Sequence, residues 1–429
     1  MQASPRDQAV GASAETTMAN GPQTLKKIKV RDVRLGMFVH ELCGSWMDHP
    51  FWKTRFRLAD PDDLKSLKSC GIAEIWIDTA KGLDVETSTP SVSHEAGDRG
   101  VDAALRQVAK EGRAHAPMRC TLTEELDRAR VIHAQAKQAV VSMFQEVRMG
   151  QALHIDGVVD VVDDIAQSVS RNPSAFLSLA KLKNKDDYTY LHSVAVCAFM
   201  MALGKQLGLE GETLRSAGLA GLLHDVGKMA IPDEVLNKPG RLTDAEFDLM
   251  KTHPRRGWEI LGEAAQANDV ALDVCLHHHE RVDGTGYPDR QSGDALSLFA
   301  RMGAVCDVYD ALTSDRCYKK GWTPVETIRK MTEWRNGHFD QRVFHAFVKV
   351  VGIFPAGTLV RLKSGRLGIV TDQSEDNLLA PVVKVFFSAN ANAHIMPEFV
   401  DLSKSRDAIA SCEDAANWGF DTKVIGAIA

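Results

Sequence analysis

The sequence lacks a long hydrophobic run and an apolar segment at its N-terminus. The longest apolar stretch, residues 194–203, is much shorter than the roughly 20 apolar residues that a membrane-spanning helix needs. The first twenty or so residues contain no apolar core of the kind found in export signals. We therefore expect neither a membrane span nor an export signal.

Cysteine pairs are missing as well. The 8 cysteines are scattered, and none of them forms a Cys-x-x-Cys motif. Scattered thiols in a chain of this length are typical of a reduced cytosolic protein, so we predict a cytoplasmic location. The absence of paired thiolates also argues against a structural zinc site.

Basic residues are not in excess. Lysine and arginine number 51 against 57 aspartate and glutamate residues, which gives a net charge of -6. Dedicated nucleic-acid-binding proteins usually carry a basic surface, so we expect no DNA or RNA partner. A small anionic substrate remains compatible with this balance because a site can be locally positive in an acidic protein.

The composition and the periodicity of the N-terminal part of the chain change at two points. Residues 1–23 show no periodicity and predict a disordered tail. Residues 24–85 combine short strand patterns with one helix and predict a small α+β regulatory module. Residues 86–120 are polar and contain Gly, Pro and Ser, which is typical of a linker.

Residues 121–154 carry a sustained apolar face at helical spacing after a possible capping box formed by Thr121 and Glu124. We predict a connector helix here, through which the domains could signal or dimerise. An ordinary helix of the bundle is an equally good interpretation of this pattern.

The rest of the sequence, residues 155–429, predicts a multidomain protein whose largest part is helical. Residues 155–352 show regular helix-breaking punctuation and no strand-like alternation, which indicates an all-α bundle of seven or so helices. Residues 353–404 contain a hairpin signal and predict a short β-rich extension. Residues 405–429 predict a loosely ordered C-terminal tail, in which Trp418 and Phe420 could dock on the body.

Several imidazoles and carboxylates lie in apolar surroundings within the helical part. Burying such groups is costly unless they are paired or bind a metal, so their conjunction predicts a metal site. A mixed nitrogen and oxygen set suits iron or manganese, with zinc as an alternative, and one carboxylate can bridge two cations. The candidate residues are His192, His224, Asp225, His253, His277, His278, His279 and Asp307.

These residues also carry a family resemblance. The pair His224 and Asp225, followed by Lys228, resembles the HD phosphohydrolase superfamily. The stretch 278–288, which reads His-His-Glu-x-x-Asp-Gly-x-Gly-Tyr-Pro, looks like the signature of the HD-GYP branch. Residues 24–85 are also similar to an uncharacterised module often found in front of HD-GYP domains. Further matching motifs begin at Tyr188, Lys238, His253, Asp307 and Ser314.

The resemblance implies an HD-type helical bundle as the catalytic domain and a cyclic-di-GMP phosphodiesterase of bacterial second-messenger signalling. It implies catalytic roles for Asp225 and Lys228, with Asp225 bridging two metals. His277 lies outside the matched signature and receives no role. The implied metal ligands are His192, His224, Asp225, His253, His278, His279 and Asp307. The implied substrate-binding residues are Lys228, Tyr287, Arg316 and Lys319.

The resemblance also bears on the number of metals. Some family members bind a third metal through a Glu one helical turn before the first His, and Tyr188 occupies that position here. We therefore predict two divalent ions, with iron or manganese favoured. Two cations would lower the pKa of a bridging water, and the resulting hydroxide would attack phosphorus in line. The product would be linear pGpG, GMP or both.

Two other functions stay open at this point. One is a catalytically weak cyclic-di-GMP sensor or effector, and the other is an HD hydrolase of another nucleotide, such as a dNTP or ppGpp. The presence of every matched ligand favours an enzyme, and the Gly-Tyr-Pro loop favours a cyclic dinucleotide substrate. A homodimer or a signalling partner could act through the N-terminal module or the connector helix.

Overall fold

A computed structural model describes the chain at residues 24–44, 49, 51, 55–86, 89–110, 120–179, 188–240, 242–264, 267–314, 321–374 and 377–420. The predicted disordered tail, 1–23, lies outside the described residues. Arg316, Lys319 and most of the aromatic stretch 45–51 also lie outside them. No helix in the described part of the chain is long and apolar enough to cross a membrane.

The N-terminal unit is a five-stranded antiparallel sheet with one helix against it. The strand order is β3-β2-β4-β1-β5. Alternating residues such as Val39, Ile75 and Ile77 are fully buried beneath helix α1, where Leu67 meets them. The elements are β1 (Leu25–Lys29), β2 (Phe38–Leu42), β3 (Phe56–Arg57), α1 (Pro61–Ser69), β4 (Glu74–Asp78) and β5 (Val92–Ser93).

The segment that we predicted as a linker, 86–120, differs from that expectation. It contains strand β5 and the helix α2 (His94–Lys110). Val101, Leu105 and Val108 on α2 are buried in the same core as the helical bundle. The polar composition of the segment concealed an apolar stripe at helical spacing, which tertiary packing then stabilises.

Helix α3 (Leu122–Arg148) begins at the expected capping box, with Thr121 and Glu124 bonded reciprocally. The apolar face of α3 is not exposed, as it would be in a separate connector helix between domains. Val140 and Phe144 are fully buried in the bundle core. Glu125 pairs with Arg171 at 2.7 and 2.8 Å. The packing therefore favours the alternative interpretation, a helix of the bundle itself.

The helical bundle is confirmed, although it contains more and shorter helices than the seven or so predicted. Helix α6 is buried along its whole length from Leu191 to Gly204 and forms the centre of the domain. The helices are α4 (Asp156–Arg171), α5 (Pro173–Leu179), α6 (Tyr188–Gln206), α7 (Gly211–Leu223), α8 (Asp233–Leu236), α9 (Asp244–Met250), α10 (His253–Gly262), α11 (Asp269–His277), α12 (Leu298–Thr313), α13 (Pro324–His338) and α14 (Gln341–Val351).

The C-terminal unit is a second five-stranded antiparallel sheet, in the order β10-β6-β7-β8-β9. The strand β10 lies in the segment 405–429 that we predicted as a tail, because pairing with β6 supplies order that the local sequence does not signal. Trp418 and Phe420 pack on Phe387, as expected. The strands are β6 (Leu359–Leu362), β7 (Arg366–Asp372), β8 (Val382–Ser388), β9 (Ala393–Asp401) and β10 (Ile409–Cys412).

The N-terminal unit packs against helix α13 through polar contacts. The Trp76 indole donates a hydrogen bond of 2.6 Å to Glu333, and Lys330 pairs with Glu41 at 2.6 Å. The same unit also reaches the loop after α11, where the Thr285 hydroxyl lies 3.4 Å from the Gly71 carbonyl oxygen. These contacts join the N-terminal unit to the helical domain at two places.

The burial of α2 generates a stability prediction. We expect Leu105→Ala to lower the free energy of unfolding by about 2–4 kcal/mol, because the side chain is 5% exposed and leaves a cavity in the core. Leu83→Ala is the matched control, since Leu83 is 48% exposed and should cost well under 1 kcal/mol. Urea unfolding of both variants checks this. Equal effects would restore the linker interpretation.

Candidate metal centre

The seven candidate metal ligands converge in the middle of the helical domain. Each comes from a helix or from the first residues after one, which holds the donor atoms rigidly. None is more than 9% exposed. His192 lies on α6, His224 and Asp225 directly follow α7, His253 begins α10, His278 and His279 follow α11, and Asp307 lies on α12.

The stretch around His224 is not the uninterrupted helix that its apolar sequence suggests. Helix α7 ends at Leu223, and a 3₁₀ turn occupies Val226–Ala230. His224 and Asp225 occupy the junction between these two elements. Gly227 lies so close to α10 that a Cβ atom there would collide with the carbonyl oxygen of His253. The glycine therefore allows two ligand-bearing segments to meet.

The candidate ligands form two groups of three that share no residue, and a third group, His224, Asp225 and His278, overlaps both. The first triad is His192, His224 and Asp307, and the second triad is His253, His278 and His279. Within each triad, one donor atom from every residue lies within 4.8 Å of the others. Such spacing suits a common cation for each group.

Asp225 lies between the triads with one carboxylate oxygen toward each. Its Oδ2 atom is 3.4 Å from Nε2 of His192 and 3.4 Å from Nε2 of His224. Its Oδ1 atom is 3.4 Å from Nε2 of His253 and 3.8 Å from Nε2 of His278. A carboxylate in this position can bridge two cations.

The outer ring nitrogens are occupied by hydrogen bonds, which orients the inner ones. The Nδ1 atom of His192 lies 2.6 Å from a carboxylate oxygen of Asp310. In three of the other rings Nδ1–H donates to a backbone carbonyl, so that Nε2 is the nitrogen that faces inward, as in known histidine metal sites. The donations run from His224 to Gly221 at 2.8 Å, from His253 to Met250 at 2.8 Å and from His278 to Val274 at 3.0 Å.

Several inward-facing atoms make no hydrogen bond within the described part of the chain. Buried polar atoms are rarely left in this state, and each such atom calls for a missing partner. Because the atoms are imidazole nitrogens and carboxylate oxygens, the residues fit divalent cations. They are His192 Nε2, His224 Nε2, Asp225 Oδ1, His279 Nε2 and Asp307 Oδ2.

The pKa values of the candidate ligands depend on their burial and on the charges of the neighbouring carboxylates of Asp225 and Asp307. Burial lowers the pKa of His253 to about 3 and that of His278 to about 4, so both rings are neutral near pH 7. Burial also acts to lower the pKa of His224, but Asp225 and Asp307 raise it to about 10. Burial would raise the pKa of Asp225, yet Lys228 and His224 hold it well below its ordinary value.

Lys228 and Tyr287 both contact the ligand set. Lys228 donates a hydrogen bond to Asp225 Oδ2, and its side chain is 13% exposed. The Tyr287 ring stacks on His279 with the ring centroids 4.8 Å apart. Tyr188 stacks on His192 at 5.6 Å. Both substrate-binding candidates in the described residues therefore lie beside the triads.

His277 lies apart from the ligand set. Its Nδ1 atom is 2.8 Å from Asp273, and its Nε2 atom is 3.3 Å from Asp289 and 3.0 Å from the side-chain amide of Gln291. These contacts give His277 a structural role at the start of the loop that follows α11.

Two supporting residues received no role from the sequence. Asp310 orients His192, and its position three residues after Asp307 on one helix face was a signal that could have identified it. Glu280 accepts a hydrogen bond of 2.7 Å from the Asp289 amide and so fixes the Gly-Tyr-Pro loop. Only the fold brings that amide to Glu280, so no comparable signal for this role exists in the sequence.

Comparison with protein families identifies two matching domains. A domain of unknown function (DUF3391) matches residues 25–158, and the HD domain matches residues 165–343. The first match includes both the predicted linker and α3.

Three curated relatives illustrate the range of similarity. The chain is 53% identical over 399 residues to cyclic di-GMP phosphodiesterase PA4108 of Pseudomonas aeruginosa, which covers 92% of this chain and 94% of the relative. It is 46% identical to cyclic di-GMP phosphodiesterase response regulator RpfG of Xanthomonas campestris, covering 34% and 39%. It is 36% identical to 3'3'-cGAMP-specific phosphodiesterase 2 of Vibrio cholerae, covering 36% and 30%.

One solved structure with similarity over most of its length is Bd1817, an HDG"Y"P protein from Bdellovibrio bacteriovorus. The sequence identity is 16%, the TM-score is 0.44, and the match covers 76% of this chain and 98% of that chain.

The contact at Gly227 generates a metal-binding prediction. We expect Gly227→Ala to lower the affinity for Mn²⁺ at least about tenfold, because the added methyl group forces His253 away from Asp225. Competition with a chelating indicator dye measures this affinity. Gly262→Ala on α10 is the control, since its Cβ would meet no atom within 4 Å. Unchanged affinity in Gly227→Ala would contradict the proposed convergence.

Proposed function

We propose, from the premise that this chain belongs to the HD-GYP family of HD-domain phosphodiesterases, that it hydrolyses cyclic di-GMP in bacterial second-messenger signalling. Membership rests on the 53% identity over nearly the whole chain and on the HD domain match. The relatives named above include phosphodiesterases for cyclic di-GMP and for 3'3'-cGAMP, so the cyclic dinucleotide class follows from the family. The relative that matches over 94% of its own length is a cyclic di-GMP phosphodiesterase by name.

The position of Asp225 is the observation that carries the proposal. One buried carboxylate presents its two oxygens to two separate triads of imidazole and carboxylate donors. Such an arrangement has no packing function, since replacing buried charges by apolar side chains is often neutral or stabilising. It does suit a pair of cations that act together on one phosphodiester.

We assign the ligands of two divalent ions on this basis. One ion would be held by His192, His224 and Asp307, and the other by His253, His278 and His279. Asp225 would contribute to both sites. Bound in this way, two divalent cations supply Lewis-acid activation of a phosphoryl group and lower the pKa of a water nucleophile. Iron and manganese suit this nitrogen and oxygen set, and zinc remains compatible with it. Tyr188 supplies no carboxylate for a third ion.

The protein's own side chains position and stabilise the substrate. Lys228 Nζ lies against Asp225, and its side chain keeps 13% exposure, so its ammonium can turn to a non-bridging phosphate oxygen. Tyr287 is held against His279 and can line the substrate pocket. Burial of the ligands excludes bulk water, which strengthens these charge interactions. Arg316 and Lys319 remain proposed phosphate-binding residues.

The decisive experiment combines metal analysis with product analysis. The full chain, purified anaerobically, should contain about two transition-metal ions per chain and convert cyclic di-GMP to linear pGpG, GMP or both. Turnover that stops at pGpG would show that the site accepts only the cyclic substrate. Metal-loaded protein that binds cyclic di-GMP without turnover would favour the sensor alternative instead.

Loss of the bridging carboxylate generates the first activity prediction. We expect Asp225→Ala and His224→Ala to lower kcat for cyclic di-GMP by at least about a thousandfold, which corresponds to about 4 kcal/mol in activation free energy. Circular dichroism should show that the helical fold survives in both variants. Either variant retaining full activity would disprove the two-metal mechanism.

Lys228 generates the second activity prediction. We expect Lys228→Ala to lower kcat about ten- to a hundredfold with a smaller change in KM, because the ammonium would stabilise charge that develops on the phosphate. Lys228→Arg should restore part of the loss. Steady-state kinetics of both variants, with metal content measured in parallel, separates this effect from loss of metal. Unchanged kinetics in Lys228→Ala would rule out the assigned role.

A further inference from the structure

The two triads of the candidate metal centre differ in their donor atoms, although Asp225 serves both. The first triad combines two imidazoles with the carboxylate of Asp307, whereas the second triad consists of three imidazoles. Asp225 does not distinguish them, because each of its oxygens lies 3.4 Å from the nearest histidine nitrogen on its side. With Asp225 included, the first site has one negative charge more than the second.

The Asp307 carboxylate lies closer to the first triad than to the second. Its Oδ1 atom is 2.9 Å from Nε2 of His192 and 3.8 Å from Nε2 of His224. Its Oδ2 atom is 3.8 Å from Nδ1 of His279, which is its contact with the second triad. The negative charge of Asp307 is therefore directed mainly at the first site.

A further carboxylate supports the first triad from behind. Asp310 Oδ2 lies 2.6 Å from Nδ1 of His192, and both residues are at most 2% exposed. A carboxylate at the outer nitrogen of a ligating histidine makes the inner nitrogen a stronger electron-pair donor. Loss of such a partner typically lowers metal affinity about ten- to a hundredfold. Asp310 therefore strengthens the site that already has the larger negative charge.

Two histidines of the second triad donate to neutral groups instead. His253 donates to the Met250 carbonyl oxygen at 2.8 Å, and His278 donates to that of Val274 at 3.0 Å. A carbonyl dipole orients the ring but carries no net charge, so it polarises the ring less than a carboxylate does. Because charge interactions are strengthened in a buried site, this difference in charge should appear as a difference in cation affinity.

The ammonium of Lys228 does not reverse this order. It contacts Asp225, so its positive charge lies near both sites. Burial lowers the pKa of all three histidines of the second triad, and the Lys228 ammonium acts in the same direction. The charge that lowers those pKa values also opposes a second cation at that triad.

We propose that the two sites fill in order, the first triad binding a divalent cation at least about tenfold more tightly than the second, and that Asp310 is the positioning residue that sets much of this difference. The inference rests on the proposed function, since it takes over the assignment of two ions. It adds the relative affinity of the two sites. At a limiting metal supply the chain would then carry one ion, and occupancy of the second triad would control hydrolysis.

The test measures metal affinity rather than turnover. The full chain, loaded with Mn²⁺, is titrated with a chelating indicator dye, and the two dissociation constants of the wild type should differ at least about tenfold. In Asp310→Asn the smaller constant should rise about tenfold or more, because the amide keeps an acceptor for His192 but loses the charge. The larger constant should change less than about twofold, since Asp310 contacts no histidine of the second triad in the described part of the chain.

Asp273→Asn is the matched control. Asp273 forms the same kind of pair with an imidazole, at 2.8 Å from Nδ1 of His277, but His277 lies outside the ligand set. This variant should keep both dissociation constants. Two further variants assign the constants to the triads and do not depend on the folding of Asp310→Asn. His279→Ala should lose the weaker ion, and His192→Ala should lose the tighter one.

Equal dissociation constants in the wild type would overturn the inference, as would loss of the tighter ion in His279→Ala. A folded Asp310→Asn variant with both constants unchanged would overturn the role of Asp310. Hydrolysis of cyclic di-GMP by the same preparation separates this inference from the proposed function. Equal constants with normal hydrolysis would overturn the inference alone, whereas unequal constants without hydrolysis would overturn the proposed function alone.

Discussion

The carboxylate of Asp225 is the constraint on which the rest of the molecule depends. A charge with essentially no solvent exposure is tolerated only where counter-charges and donors surround it. Here those groups come from several helices, which must all end or pass within a few ångströms of one point. The long buried helix α6, the early end of α7 and the close approach of α10 at Gly227 all serve this convergence.

Much of the candidate site could be predicted from the sequence because its signals are local. An imidazole beside a carboxylate in an apolar stretch, a histidine pair after an apolar helix and an aspartate within α12 are each visible in a few residues. The family signature then joined them, and the structure brings all seven candidate ligands together. Capping boxes such as the one at Thr121 were equally local, and they place helix starts correctly.

The features that could not be predicted from the sequence depend on contacts between residues that lie far apart in the chain. Helix α2 looked like a linker because its four buried apolar residues are spread over a polar segment, and only the bundle core explains them. Strand β10 exists because β6 offers an edge. Asp310 acts through His192, which is 118 residues away.

The contact between Gly71 and Thr285 has a consequence for how the N-terminal unit can act. Thr285 lies two residues before Tyr287, and the preceding Asp283 amide donates to the carbonyl oxygen of Gly337 in the kinked end of α13. The loop that carries Tyr287 therefore lies between the N-terminal unit, which it contacts at Gly71, and the end of α13. A displacement of the N-terminal unit relative to α13 would move the backbone of this loop and with it the ring that stacks on His279.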